Sequence, residues 1–274
     1  MNMKISIASE KIEDRIQIIN TIKVLNESEC SEIKNSFDNL YLIDLIGNYF
    51  KIAKNNYQDF IYCINDFIPE TIDEIDIPTI FDRMKLDELK IESNRKLLNY
   101  LSSFKTLLDH IFGILDDEKE IKFKKFTNYL YDENFSYRFL ARLRDFAQHK
   151  GLPITNFESD FSTSLVYIFL MIDSNYLLNS YKKWNTVRKD LEKYNKIDAI
   201  SIVADHYKLL DQIYKFLFQL YEDDLKKSVF YIEDIINKFK GDYRLILLKE
   251  NDNSNETKME YFPIKVIEEV KKNF

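Results

Sequence analysis

A mainly helical fold with a small β-containing C-terminal appendage is what the sequence predicts, on three observations. Only four of the 274 residues are glycine and four are proline, which favours long, uninterrupted elements. Apolar residues recur at three and four along most of the chain, the period of one helix face. Near the end the pattern changes: YRLILL, the polar stretch NDNSNE and MEYFPI read as a β-hairpin. The length allows one large domain or two small ones. Pattern and breakers divide the chain into a helical N-terminal extension (1–80), a helical bundle (81–222) and a tail of one helix plus the hairpin (223–274).

In order along the chain, the first eighty residues read as helical segments. Phe37, Leu40, Ile43, Ile46 and Phe50 make one stripe, and Tyr57, Phe60, Ile61, Ile64 and Phe67 continue it. PETIDEIDIP, bounded by Pro69 and Pro78, reads as a connector, because each proline lacks an amide donor and restrains the residue before it. From about Phe81 to Leu115 runs the strongest helical signal. Leu97, Leu101, Phe104, Leu108, Ile111 and Leu115 form its apolar stripe, and Glu92, Arg95, Asn99, Ser102, Thr106 and Asp109 its polar side. After a charged turn, DDEKE, a short helix around Phe123 to Tyr131 leads into NFSYRFLARLRDFAQH.

That segment presents Phe139, Leu143 and Phe146 on one face and Arg138, Arg142, Asp145 and His149 opposite, spaced by four, three and four. Gly151 and Pro153 stand where a helix stop is expected. TSLVYIFLMI, rich in β-branched and aromatic residues and bounded by Ser, Asp and Asn, reads as a buried strand rather than a helix. Helices follow over about Asn175–Tyr194, Ile200–Tyr221 and Lys226–Phe239, before Gly241, with KVIEEVKKN as the last.

Composition excludes several classes. The net charge of −7 and pI near 5.2 argue against a broad electrostatic footprint on duplex nucleic acid, though not against a local basic pocket. Cys30 and Cys63 have no CxxC spacing, so reduced structural thiols are expected rather than zinc ligands or a disulfide framework. The opening MNMKISIASEKIEDR lacks a signal-peptide core, and the apolar run Leu165 to Ile172 is too short to span a bilayer, so a cytoplasmic protein without membrane association is expected. No phosphate-binding glycine loop, HExxH, GxSxG or EF-hand pattern occurs. No cofactor and no metal site is expected.

What can carry chemistry is RDFAQH, Arg144 to His149. Asp145 and His149 are four apart on a helix, so the carboxylate can orient the imidazole. Arg144 lies about 140° around the helix from His149, an angle that a long guanidinium stem covers at a helix end. A phosphate over the last turn can then touch both. RNA cleavage by its own 2′-hydroxyl needs a group titrating near neutrality and a cation for the charged transition state, which histidine and arginine supply without a metal. The bland alternative is a histidine favoured by the helix C-terminus and bonded to Asp145. His110 and His206 read as structural, and Glu92, Asn94, Arg95 and Asn99 as helix cross-links in preference to residues lining the site.

RDFAQH followed by KGLPI resembles the signature of the HEPN superfamily of helical ribonuclease and nucleotide-binding domains, and ESNRKLLNYLSS is similar to the helix that precedes it there. The resemblance covers about Phe81 to Leu220. It implies a homodimer in which two motif helices form one composite, metal-independent site that leaves a 2′,3′-cyclic phosphate. By position, Arg144 would contact the scissile phosphate, His149 would act as general base or acid, and Asp145, in a slot where asparagine is common, would orient them. Arg138, Arg142 and Lys150 are expected to offset the Asp145 charge and bind substrate, with Tyr137 stacking a base. RNA, tRNA included, is the expected partner, with an antitoxin or defence-system partner implied by the family. A catalytically silent module that uses the same helix to bind a nucleotide, RNA or protein is the alternative, and a regulator within a larger complex a third class.

Overall fold

The computed structural model describes residues 2–8, 18–65, 83–160, 167–239, 245–250 and 257–273. The connector around Pro69 to Pro78, Gly241 and the NDNSNE loop lie outside them, as do Leu165 and Val166. The described residues are mainly helical, with two antiparallel sheets. The chain divides into two compact units, one formed by residues 1–45 and 218–274, the other by 46–217.

In the first unit, β1 (Asn2–Ala8) and β2 (Ile18–Val24) form an antiparallel pair. β6 (Leu245–Glu250) pairs on the other side of β1, and β7 (Thr257–Tyr261) pairs with β6, giving the order β2-β1-β6-β7. The hairpin expected at the end of the chain is therefore present, but as half of a larger sheet completed by the N-terminus. Helical segments are expected over the first eighty residues; instead, residues 2–8 and 18–24 are strands. Met3 and Ile5 are buried, and Leu245, Ile246, Leu247 and Leu248 are all buried, so pairing and burial override a weak local signal. Helix α1 (Glu27–Ile61) follows β2, and α8 (Ile264–Lys271) follows β7. Phe37 of α1 meets Phe262 edge to face at 5.4 Å, and Tyr41 donates to the Tyr261 carbonyl at 3.1 Å.

In the second unit, α2 (Arg83–Ile114), α3 (Asp117–Glu133) and α4 (Phe135–His149) follow one another with short turns. DDEKE is the start of α3 rather than a turn. The Asp116 carboxylate accepts from the Lys119 amide at 2.8 Å, and Asp117, Glu118 and Glu120 occupy the first turn, where the helix dipole favours acids. β3 (Ile154–Asp160) and β4 (Tyr167–Asp173) form an antiparallel pair with the short β5 (Lys196–Asp198) at its edge. The described part of the YIFLMI run is thus a strand, as its composition indicates, with Leu170 and Ile172 fully buried.

The helix expected over Asn175–Tyr194 is broken into α5 (Ser174–Ser180), a 3-10 turn (Asn185–Val187) and α6 (Arg188–Leu191). Tyr181 is extended, with φ −143°, and Asn185 is left-handed, with φ 51°. This path carries Trp184 into the core, where its Nε1 donates to the Leu177 carbonyl at 3.0 Å and its ring stacks on Phe146 at 5.9 Å. The two helices expected over 200–239 are one, α7 (Ala199–Lys238), with no glycine or proline to interrupt it. α1 and α7 contribute residues to both units.

Candidate functional site

α4 places the motif. Its core face is fully buried at Phe139, Leu143 and Phe146, which fixes the rotation of the helix and turns the opposite face outward. His149 is its last residue and is exposed, followed by the exposed Lys150, whose amide closes the helix onto the Phe146 carbonyl at 2.8 Å. Arg142, Arg144 and Asp145 are half-buried. The predicted Asp145–His149 hydrogen bond is not formed. The Asp145 carboxylate instead accepts from Arg142 at 3.4 Å, its partner one turn earlier.

Arg144, Asp145 and Arg142 line a pocket of about 270 Å³ between α2 and α4. Leu101, Phe104 and Leu108 of α2 and Leu140 of α4 make it largely apolar, and Tyr131, Tyr137, Ala141 and Lys105 complete the lining. Lys105 pairs with Asp109 and Arg142 with Asp145. Among the described residues, Arg144 makes no ion pair, and its buried Nε has no hydrogen-bond partner.

The remaining predicted residues are placed differently. Tyr137 is buried at 6% exposure, its ring edge-on to Phe104 at 5.5 Å, and burial pushes its hydroxyl above the usual tyrosine range. It is a wall of the pocket rather than an open stacking platform. Arg138 donates to the Tyr131 carbonyl at 3.0 Å and pairs with Asp190 at 3.0 Å, which ties α4 to α6. Its guanidinium is occupied by the protein itself.

Sequence reasoning did not foresee how the end of α4 is pinned. Asn94, buried in α2, donates to the Ile154 carbonyl at 2.9 Å and accepts from the Ile154 amide at 3.0 Å. The chain is therefore clamped five residues beyond His149. Gly151 is needed for close approach: a Cβ there would lie 2.4 Å from the Tyr176 Oη. Gly151→Ala is expected to cost about 1–2 kcal/mol by overpacking, and adding Tyr176→Phe should restore most of it by deleting the clashing oxygen. Thermal melts of the two single variants and the double variant measure this, and additive losses would exclude the contact as the cause.

His206 and His110 are structural in their surroundings. His110 stacks on Tyr49 at 3.9 Å. His206 is fully buried, its Nδ1 2.7 Å from the Tyr100 hydroxyl and its Nε2 without a partner. Burial holds its pKa down to about 3, whereas a free histidine titrates near 6.5. Between these values the unfolded chain takes up a proton that the folded one refuses. Stability from this group is therefore complete above about pH 6.5 and is lost as pH falls toward 3. At about pH 5 the wild type should have lost about 2 kcal/mol more than His206→Gln, at about 1.4 kcal/mol per unit. Parallel denaturant curves for the two proteins across this range would disprove the coupling.

Among the described residues, no three metal-ligating side chains gather, and no helix is long and apolar enough to cross a membrane. No family model, curated protein or solved structure matches the chain.

Proposed function

We propose that the chain is a metal-independent endoribonuclease of HEPN type, acting in the cytoplasm as a homodimer whose two α4 ends face each other. The observation that carries this reading is the arrangement at the end of α4. An exposed His149 lies five residues beyond Arg144, a guanidinium with no carboxylate partner among the described residues, beside a pocket. In the proposed reaction the 2′-hydroxyl attacks the adjacent phosphorus and the 5′-oxygen leaves, giving a 2′,3′-cyclic phosphate and a 5′-hydroxyl. His149 moves the proton, and Arg144 stabilises the charge that builds on the phosphate. Lys150, exposed just past the end of α4, adds local positive charge on an otherwise acidic chain, which suits a short single-stranded target such as a tRNA loop. A toxin or antiphage role, held in check by an antitoxin or released by a defence signal, belongs to the same proposal.

The silent-module reading draws on one observation, the diversion of Asp145 to Arg142, which leaves His149 without an orienting carboxylate among the described residues. The deciding experiment is incubation of the purified protein with total RNA and with separated tRNA in EDTA. Cleavage with 2′,3′-cyclic ends is expected. Intact RNA in the presence of a verified dimer would favour the binding module.

A further inference from the structure

We infer that the pocket beside Arg144 is a nucleobase subsite: one base of the bound RNA enters between α2 and α4 while its phosphate lies on the Arg144 guanidinium. The placement rests on the reading of Arg144 as a phosphate-binding residue. Three features of the pocket select this ligand chemistry. Much of its lining is apolar, with Leu101, Phe104 and Leu140 contributing, which suits a flat ring and offers nothing to a bare phosphate. Its walls include the Tyr131 and Tyr137 rings, which meet edge to face at 5.8 Å. With Tyr137 itself buried, these walls offer a base apolar contact whatever its identity rather than an open stacking face.

The charged residues of the lining decide between a base and any other flat apolar group. Lys105 and Arg142 are each neutralised by a carboxylate. Among the described residues Arg144 is the lining cation without one, and its buried Nε has no hydrogen-bond partner there. Leaving such a donor unmade is costly, so a ligand that brings an anion to this guanidinium is favoured. A phosphate can accept from a guanidinium in a two-point fork. A ligand with a ring for the apolar lining and a phosphate at its edge satisfies both, and within RNA each nucleotide is such a group. The volume of about 270 Å³ suits one base, not a run of stacked ones.

Ala141 permits a direct test, because it lines the pocket without belonging to the fully buried core. Ala141→Leu keeps a strong helix former and fills the space. The probes are 5′-nucleoside monophosphates and ribose 5-phosphate, titrated calorimetrically into the full-length protein. Wild type should bind the nucleotides about tenfold or more tightly than ribose 5-phosphate, a difference of about 1.4 kcal/mol. Ala141→Leu should abolish that advantage and leave the sugar phosphate affinity in place, while Arg144→Gln should weaken both ligands. If Ala141→Leu does not fold, Leu108→Trp fills the same space from α2.

Equal affinity of wild type for nucleotide and sugar phosphate overturns the subsite, as does an advantage that survives pocket filling. The two readings separate cleanly. RNA cleavage in EDTA by a wild type that binds nucleotides no more tightly than ribose 5-phosphate removes the subsite and keeps the nuclease. Base-dependent binding without cleavage keeps the subsite and removes the nuclease.

Discussion

RNA cleavage by the His149→Ala variant is expected to fall about a hundredfold to ten-thousandfold below wild type, the usual worth of a positioned proton-transfer group. The fold should hardly notice. His149 is exposed, ends α4, and makes no side-chain hydrogen bond among the described residues, so only its interaction with the helix C-terminus is lost, about 0.3–1 kcal/mol. The capping interpretation makes the opposite statement: a small drop in melting temperature and no change in any activity. Measuring cleavage in EDTA and the melting temperature on the same preparations therefore distinguishes them. Equal cleavage by the two proteins would remove His149 from the chemistry.

Asn94→Ala should destabilise the second unit by about 3 kcal/mol or more. The side chain bonds both backbone groups of Ile154, a residue with 0% exposure. Alanine would strand a buried amide and a buried carbonyl, each costing about 1–3 kcal/mol when unmet. A third bond, to the Lys90 carbonyl at 2.8 Å, uses the remaining amide hydrogen. Asn94→Asp retains an acceptor for the Ile154 amide but sets a buried carboxylate against the Ile154 carbonyl, so it should not rescue. Chemical denaturation measures the loss. A change below about 0.5 kcal/mol, the size expected of an ordinary surface substitution, would show that Ile154 finds other partners. Because Ile154 follows closely on His149, cleavage by folded Asn94→Ala should also fall, through mobility of the α4 end.

Much of the helical framework was legible from spacing alone. Of the stripe Leu97, Leu101, Phe104, Leu108, Ile111 and Leu115, Leu108 and Leu115 are half-buried and the other four are buried in α2, and Phe139, Leu143 and Phe146 are the buried face of α4. Such stripes are local: each residue is three or four from the next, and one helix turn brings them together. Misreadings arose where a distant partner decides. β1 looks unremarkable until β6, more than two hundred residues later, pairs with it. The break at Tyr181 and Asn185 follows from burial of Trp184 among Phe139 and Phe146, which no window around Trp184 contains. The charged segment DDEKE fails for a different reason: Asp and Glu mark both turns and helix starts, and Asp116 used its carboxylate as a cap.

The candidate site divides along the same line. That Arg144 and His149 share the end of one helix, with a core face behind them, was determined by the sequence, because five residues of helix set their separation. Tertiary structure decided the charge partners. Asp145 had two candidates within one turn and took Arg142, while Arg138, free to bind substrate by its helix position, met Asp190 across a distance in sequence of fifty-two residues. The pocket exists only because α2 lies against α4. Helix periodicity is a property of neighbours along the chain. Pockets, clamps and pairs such as Arg138 with Asp190 are properties of neighbours in space, and packing selects those.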